Sequence, residues 1–409
     1  MKQREIKKMI ETLSFVRTSG SEEEERLVRY FEKELNALPV KTRIVPFSVP
    51  GYRTRAASLS VEGEEIPCRP IWGFGTGLAE GELYYLRRAD SCVKRACRER
   101  IVLIDGPLRA SLYDFLAEAG ALAVIASCGD ASAEGSAIDQ RARAFTLKGK
   151  KKLPCAMIHV KDTVRLVHRA ACRVSLRVEY DSFIATSHNL IAELPGESEE
   201  RIDICAHYDS TFLSRGSYDN LSGALALLYL AEHFASRPHY RSLRLIFCGS
   251  EEVGLCGSLQ YCASDELKGA VLNINLDMLG SLMGAVEAIS CADERMEKYL
   301  SSFLKHRRIP ASVRLGIRSS DSTSFTYFGV PAVSFARYAP EHIVRIHTPR
   351  DLPEQVGPAQ LLQDMRLVAA FTEKAAAVDF PVPFVLCDKV KKESQDHMKR
   401  CRMPPFADE

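Results

Sequence analysis

From Asn189 onward, apolar runs of strand length recur at regular intervals, and most of them end at a polar, acidic or small residue. This pattern predicts strands at 189–194, 203–206, 243–248, 271–276, 286–290, 313–317 and 332–335, separated by segments of helical length. The stretch 221–234 is so apolar that its helix must be largely buried, and 359–377 reads as an amphipathic closing helix. Alternation of this kind predicts an α/β fold: a mixed, mostly parallel sheet with helices on both faces. Ahead of it, residues 3–38 read as one or two helices, with Ser19 and Ser21 before Glu22–Glu25 as a cap and first turn; residues 40–47 follow as a strand.

Between Pro50 and Tyr180 the texture changes to short β-like pieces around one helical stretch near 112–119. An inserted, β-rich domain is expected there. The boundaries read as 1–49 and 183–382 for the main, discontinuous domain and 50–182 for the insertion. Residues 383–409 remain as a polar tail without a sustained apolar stripe.

Composition narrows the partners. The 409 residues are 46% hydrophobic, enough to bury a large core. Lys plus Arg (55) nearly balances Asp plus Glu (53), so no net field draws the chain toward nucleic acid or an anionic membrane. The basic run Lys148–Lys152 reads as a solvated loop. The N-terminus alternates charged and apolar residues like an amphipathic helix rather than a signal peptide. With 13 cysteines and no Cys-x-x-Cys zinc spacing, the expectation is reduced thiols in a cytoplasm. The oligomeric state is not readable.

Candidate chemistry lies where the strands of the main domain end. The run Leu243–Cys248 stops at Gly249 and delivers the adjacent acids Glu251 and Glu252. In open α/β sheets ligands bind beyond the carboxyl ends of strands. Neighbouring residues leaving a strand point in different directions, so one acid can hold a metal while the other faces a substrate. After another apolar strand comes His207-Tyr208-Asp209, in which Asp209 can accept the second ring N–H of a ligating His207. Asp219 precedes the buried helix among small residues, placed to bridge two cations. Asp277 closes an apolar strand, where an unpaired charge is costly. His347 is followed by Asp351, which can support it as Asp209 supports His207. Two histidines and three carboxylates can thus fill two adjacent metal positions, with Glu251 left over as a base.

The motifs His207-Tyr208-Asp209, Asp219-Asn220, Glu251-Glu252-Val253-Gly254, Leu276-Asp277-Met278 and His347-Thr348-Pro349-Arg350-Asp351 resemble, in order, those of metallopeptidase family 28, the co-catalytic zinc aminopeptidases and glutamate carboxypeptidases. The resemblance covers about 185–380. It implies a three-layer α/β/α zinc-exopeptidase fold, with His207 and Asp277 on one zinc, Glu252 and His347 on the other, Asp219 bridging and Glu251 as general base. It also implies a cis Asp219-Asn220 peptide. Residues 50–182 resemble the protease-associated domain that some members carry. Two departures concern substrate recognition: Ser322 stands where many members have histidine after the aspartate equivalent to Asp321, and Ile346 where the carboxypeptidase branch has tyrosine.

The expected cofactor is therefore two Zn²⁺, with Mn²⁺ or Co²⁺ also compatible with imidazole and carboxylate donors. Paired cations activate a water and polarise the scissile carbonyl, and Glu251 carries the proton to the leaving amine. The expected activity is an aminopeptidase acting on peptides. A carboxypeptidase or dipeptidase on the same scaffold would need a cation for the substrate carboxylate, from Arg318, Arg337 or Arg345, and Asp321 is a further candidate substrate contact. A single-zinc glutaminyl cyclase is disfavoured by the presence of His207. A non-catalytic binding protein would be expected to have lost ligands that this chain keeps.

Overall fold

The computed structural model describes residues 1–129, 131, 135, 137–140, 152–169, 172–340, 344–382 and 384–401. The chain divides into two compact units, 1–49 with 185–397 and 50–184 with 398–409. Of the basic run at 148–152, only Lys152 lies within the described residues.

In the first unit the sheet order is Ala311–Leu315, Ala285–Cys291, Ala332–Tyr338, Ala270–Leu276, Ser198–His207, Arg241–Cys248 and the second half of Arg173–Leu194. The four strands from 332–338 to 241–248 run parallel. The strand 285–291 and the strand 173–194 pair antiparallel on either side of them. All four parallel strands therefore open their carboxyl ends along one edge, where His207, Asp277 and the Glu251-Glu252 pair emerge.

The alternation along each strand explains the three layers. Ile202, Ile204 and Ala206, with Leu243, Leu245 and Phe247, face the helices Gln3–Leu13, Glu22–Asn36, Ser222–Phe234, Glu294–His306 and Pro358–Ala375. Cys205, Ile246 and Cys248 face the other way, against Tyr261 and Cys262 of Cys256–Cys262 and Phe325 of Ser322–Tyr327. The Ser222–Phe234 helix is buried nearly all round, as its composition predicts. Leu227 within it is fully buried, so Leu227→Ala is expected to destabilise the unit by about 2–5 kcal/mol, read as a lowered chemical-denaturation midpoint.

In the second unit the strands Arg100–Leu103, Ala123–Cys128 and Cys155–His159 run parallel, flanked by Gly77–Tyr85 and the first half of Arg173–Leu194. Helices Ala110–Ala119 and Val160–Val167 accompany them, the second unforeseen. Two separate apolar clusters form its core.

Two further features differ from the sequence reading. The strand expected at 40–47 runs from Lys41 to Val61, through Pro46 and Pro50, residues that normally end a strand. The polar tail contains a helix, Asp388–Cys401. It buries Val390, Ser394 and His397 at helical spacing; because serine and histidine occupy the inward stripe, it does not look apolar. Among the described residues no helix is long and apolar enough to cross a membrane.

Candidate metal centre

Asp219 stands between two histidines. Its Oδ1 lies 3.1 Å from His207 Nε2 and its Oδ2 lies 3.1 Å from His347 Nε2. Asp277 Oδ1 approaches the same His207 nitrogen at 3.7 Å, and Glu252 Oε2 the same His347 nitrogen at 3.1 Å. Two three-residue donor groups result, His207/Asp219/Asp277 and Asp219/Glu252/His347, with the ligand atoms of each within 4.8 Å of one another.

The electrostatics of the cluster call for positive charge. Burial opposes charging the imidazoles, yet the surrounding carboxylates, led by Glu251 for His207 and Glu252 for His347, raise both well above the usual histidine range. Burial likewise opposes ionising Asp219, but its two histidine partners hold it well below the usual carboxylate range. Glu252 Oε1 and Asp277 Oδ1 are buried without a hydrogen-bond partner, a costly state for a carboxylate oxygen in a protein interior. Imidazole and carboxylate donors around one shared carboxylate, with two further carboxylate oxygens unsatisfied, fit divalent cations of the zinc type.

The loops that carry these side chains are held by other buried groups. Asp209 Oδ1 lies 3.3 Å from His207 Nδ1, and its two oxygens accept the backbone N–H groups of Glu251 (2.9 Å) and Glu252 (3.1 Å). Asp351 was expected to support His347; instead its oxygens accept the N–H groups of Tyr218 (2.7 Å) and Asp219 (3.0 Å), fixing the bridging residue. The Asp219-Asn220 peptide is cis. Asn220 donates to Leu276 O and accepts from Met278 N–H, tying this loop to the strand end that bears Asp277. Ser250, Met278 and His347 all have φ near +60°, a region rarely occupied by residues other than glycine and concentrated at functional sites.

Residues 189–372, which contain all of these acids and histidines, match the model of peptidase family M28. It is this stretch of the chain that resembles the family. Among its relatives is Aminopeptidase YwaD of Bacillus subtilis (strain 168), 30% identical over 253 residues, which are 56% of this chain and 53% of the relative. Probable lipoprotein aminopeptidase LpqL of Mycobacterium tuberculosis (strain ATCC 25618 / H37Rv) is 33% identical over 191 residues, 44% of this chain and 36% of the relative. The chain thus spans about half the length, or less, of these curated relatives. The crystal structure of BSAP, a zinc aminopeptidase from Bacillus subtilis, is similar with a TM-score of 0.76 at 25% identity, covering 95% of this chain and 98% of that one. An aminopeptidase from Aneurinibacillus sp. strain AM-1 shares the fold, with a TM-score of 0.73 at 24% identity over 94% of this chain and 96% of that one.

The candidate substrate contacts fare unevenly. Asp321 is fully buried where the Ser322–Tyr327 helix begins. Burial pushes its carboxyl up to about 6. Arg337 is bound to Asp364 at 2.6 Å, while Arg318 stacks over Tyr338 at 3.7 Å. Arg345 is half-buried, and its carbonyl accepts from the Thr348 hydroxyl.

The site also uses residues that sequence reading passed over. Ser320 donates to Asp277 Oδ2 at 2.7 Å and orients it. Arg17, fully buried, donates to the carbonyls of Tyr208, Arg215 (2.5 Å) and Gly216 (2.8 Å), bracketing the loops of His207 and Asp219. Burial lowers its guanidinium to about 10 against the pull of Asp351, Asp209 and Asp219. Glu24 is buried beneath the turn at Ser250. In the sequence Arg17 and Glu24 carry only the local pattern of a loop and a helix cap.

Proposed function

We propose that the chain is a zinc-dependent aminopeptidase that uses two zinc ions and removes residues from the N-terminus of peptides. The observation that carries this reading is the division of Asp219, one oxygen toward His207 and Asp277 and the other toward His347 and Glu252. His207 and Asp277 would hold one ion, Glu252 and His347 the other, with Asp219 shared. The aminopeptidase names of the relatives and the zinc of BSAP support the choice of reaction and metal.

The paired ions, when bound, supply positive charge that polarises the scissile carbonyl and eases deprotonation of a water. Glu251 has no assigned ligand role, and its carboxyl is raised well above the usual range by burial first, with the charges of Glu252 and Asp321 adding and His207 opposing. It is the group to take the water proton at a carboxylate oxygen and pass it to the leaving amine. Asp209 keeps Glu251 and Glu252 in register through their amides, and Ser320 fixes the rotation of Asp277. Residues 50–182 are read as a protease-associated domain.

The test is mass spectrometry of a peptide panel with free and blocked termini, with zinc-loaded protein and a chelated control. Chelation is expected to abolish cleavage and zinc to restore it, with N-blocked peptides left intact. Loss of C-terminal residues would instead mean a carboxypeptidase and direct attention to Arg318 and Arg345. Zinc binding without any cleavage would favour a non-catalytic binding protein.

A further inference from the structure

Glu24 has an apparently complete structural role. It is the third residue of the Glu22–Asn36 helix; Ser21 Oγ accepts its N–H at 3.1 Å, and its own Oε2 accepts the Gly20 N–H at 2.6 Å. This is a variant of the capping box, closed on Gly20, the residue before the N-cap Ser21. Capping glutamates usually lie at the surface, whereas Glu24 is 1% exposed. Its second oxygen explains why. Oε1 turns away from the helix and accepts from Ser250 N–H (3.1 Å), Ser250 Oγ (3.2 Å) and Ser187 Oγ (2.8 Å).

Ser250 is the residue before Glu251, and its φ is +56°. Ser19 Oγ lies 2.5 Å from Ser250 Oγ, a second tie from the same N-terminal loop. At Gly249 an added Cβ would come within 2.4 Å of Ser187 Oγ and 3.1 Å of Glu24 Oε1, so the turn closes tightly on these groups. The next two amides end on Asp209. Three consecutive N–H groups, 250 to 252, are thus held by two buried carboxylates.

We infer that Glu24 is a positioning residue for the acid pair Glu251-Glu252, setting the turn from which both side chains leave. The inference rests on the function proposed above, because it assigns Glu251 to proton transfer and Glu252 to a metal. A helix cap alone would act through stability. A positioning role acts on turnover.

Steady-state kinetics on the zinc-loaded full chain separate the two. Glu24→Ala is expected to lower kcat about 10- to 100-fold, the scale of outer partners of metal ligands, with KM little changed. Glu24→Gln retains an oxygen that can accept the Ser250 N–H and should recover most of the loss. Ser21→Ala removes the other half of the same cap but leaves Oε1 on Ser250; it should lower Tm and keep kcat. If Glu24→Ala does not fold, Glu24→Asp, one methylene shorter, takes its place. Normal kcat in the Glu24 variant, or an equal loss in Ser21→Ala, overturns the inference.

Zinc titration against a chromophoric chelator gives a reading that does not depend on catalysis. Glu24→Ala should weaken one of two binding steps by about tenfold, that of the ion held by Glu252. If the unaltered chain cleaves no peptide, the proposed function fails while this titration still judges Glu24. Indistinguishable titrations would then overturn the inference.

Discussion

Glu251→Gln is expected to remove turnover while leaving metal binding in place. The substitution keeps the size and the backbone of the residue, whose N–H still donates to Asp209. It removes an acid that belongs to neither donor group found among the described residues. General acid–base groups contribute roughly 10²- to 10⁴-fold, so kcat should fall by about that factor, with KM nearly unchanged if binding does not depend on the proton. Glu252→Gln is the informative neighbour, since Glu252 faces His347 at 3.1 Å. There the loss of activity should come with loss of metal. Kinetics and metal analysis of the two variants side by side would separate a base from a ligand. Near-normal kcat in Glu251→Gln removes Glu251 from the mechanism.

That two adjacent acids could face different ways was legible in the sequence from strand geometry, while the role of each is what the family resemblance implies. Apolar runs ending at His207, Asp277 and the Glu251-Glu252 pair mark the carboxyl ends of three parallel strands, and parallel neighbours bring those ends together. The cis Asp219-Asn220 peptide implied by the family resemblance is present too. What could not be read was which donor each buried carboxylate would meet. Asp351 lies four residues after His347, yet its partners are the amides of Tyr218 and Asp219, more than 130 positions away. Glu24 and Arg17 act across comparable distances and carry only the local pattern of a helix cap and a loop. The long strand 41–61 was hidden by Pro46 and Pro50, and the C-terminal helix by a stripe in which serine and histidine face inward.

Asp219→Asn should have the second large effect, and for a different reason. Each oxygen of Asp219 faces its own histidine nitrogen at 3.1 Å. An amide of the same shape offers an oxygen to one side only and an NH₂ group, with no lone pair to give, to the other. One of the two donor groups therefore drops from three ligand atoms to two, and the shared negative charge is lost from both. The surrounding loop should stay put, since Asp351 and Asn220 hold its backbone through atoms the substitution does not touch. Metal analysis after dialysis against zinc is expected to give no more than one tightly held ion per chain. Activity should fall by roughly 10³-fold, the scale on which loss of a charge-stabilising group acts. The two single-site variants His207→Ala and His347→Ala would then show which position survives. If Asp219→Asn keeps two ions at unaltered affinity, Asp219 does not bridge them, and the arrangement of the centre proposed above is wrong even where the peptidase activity is real.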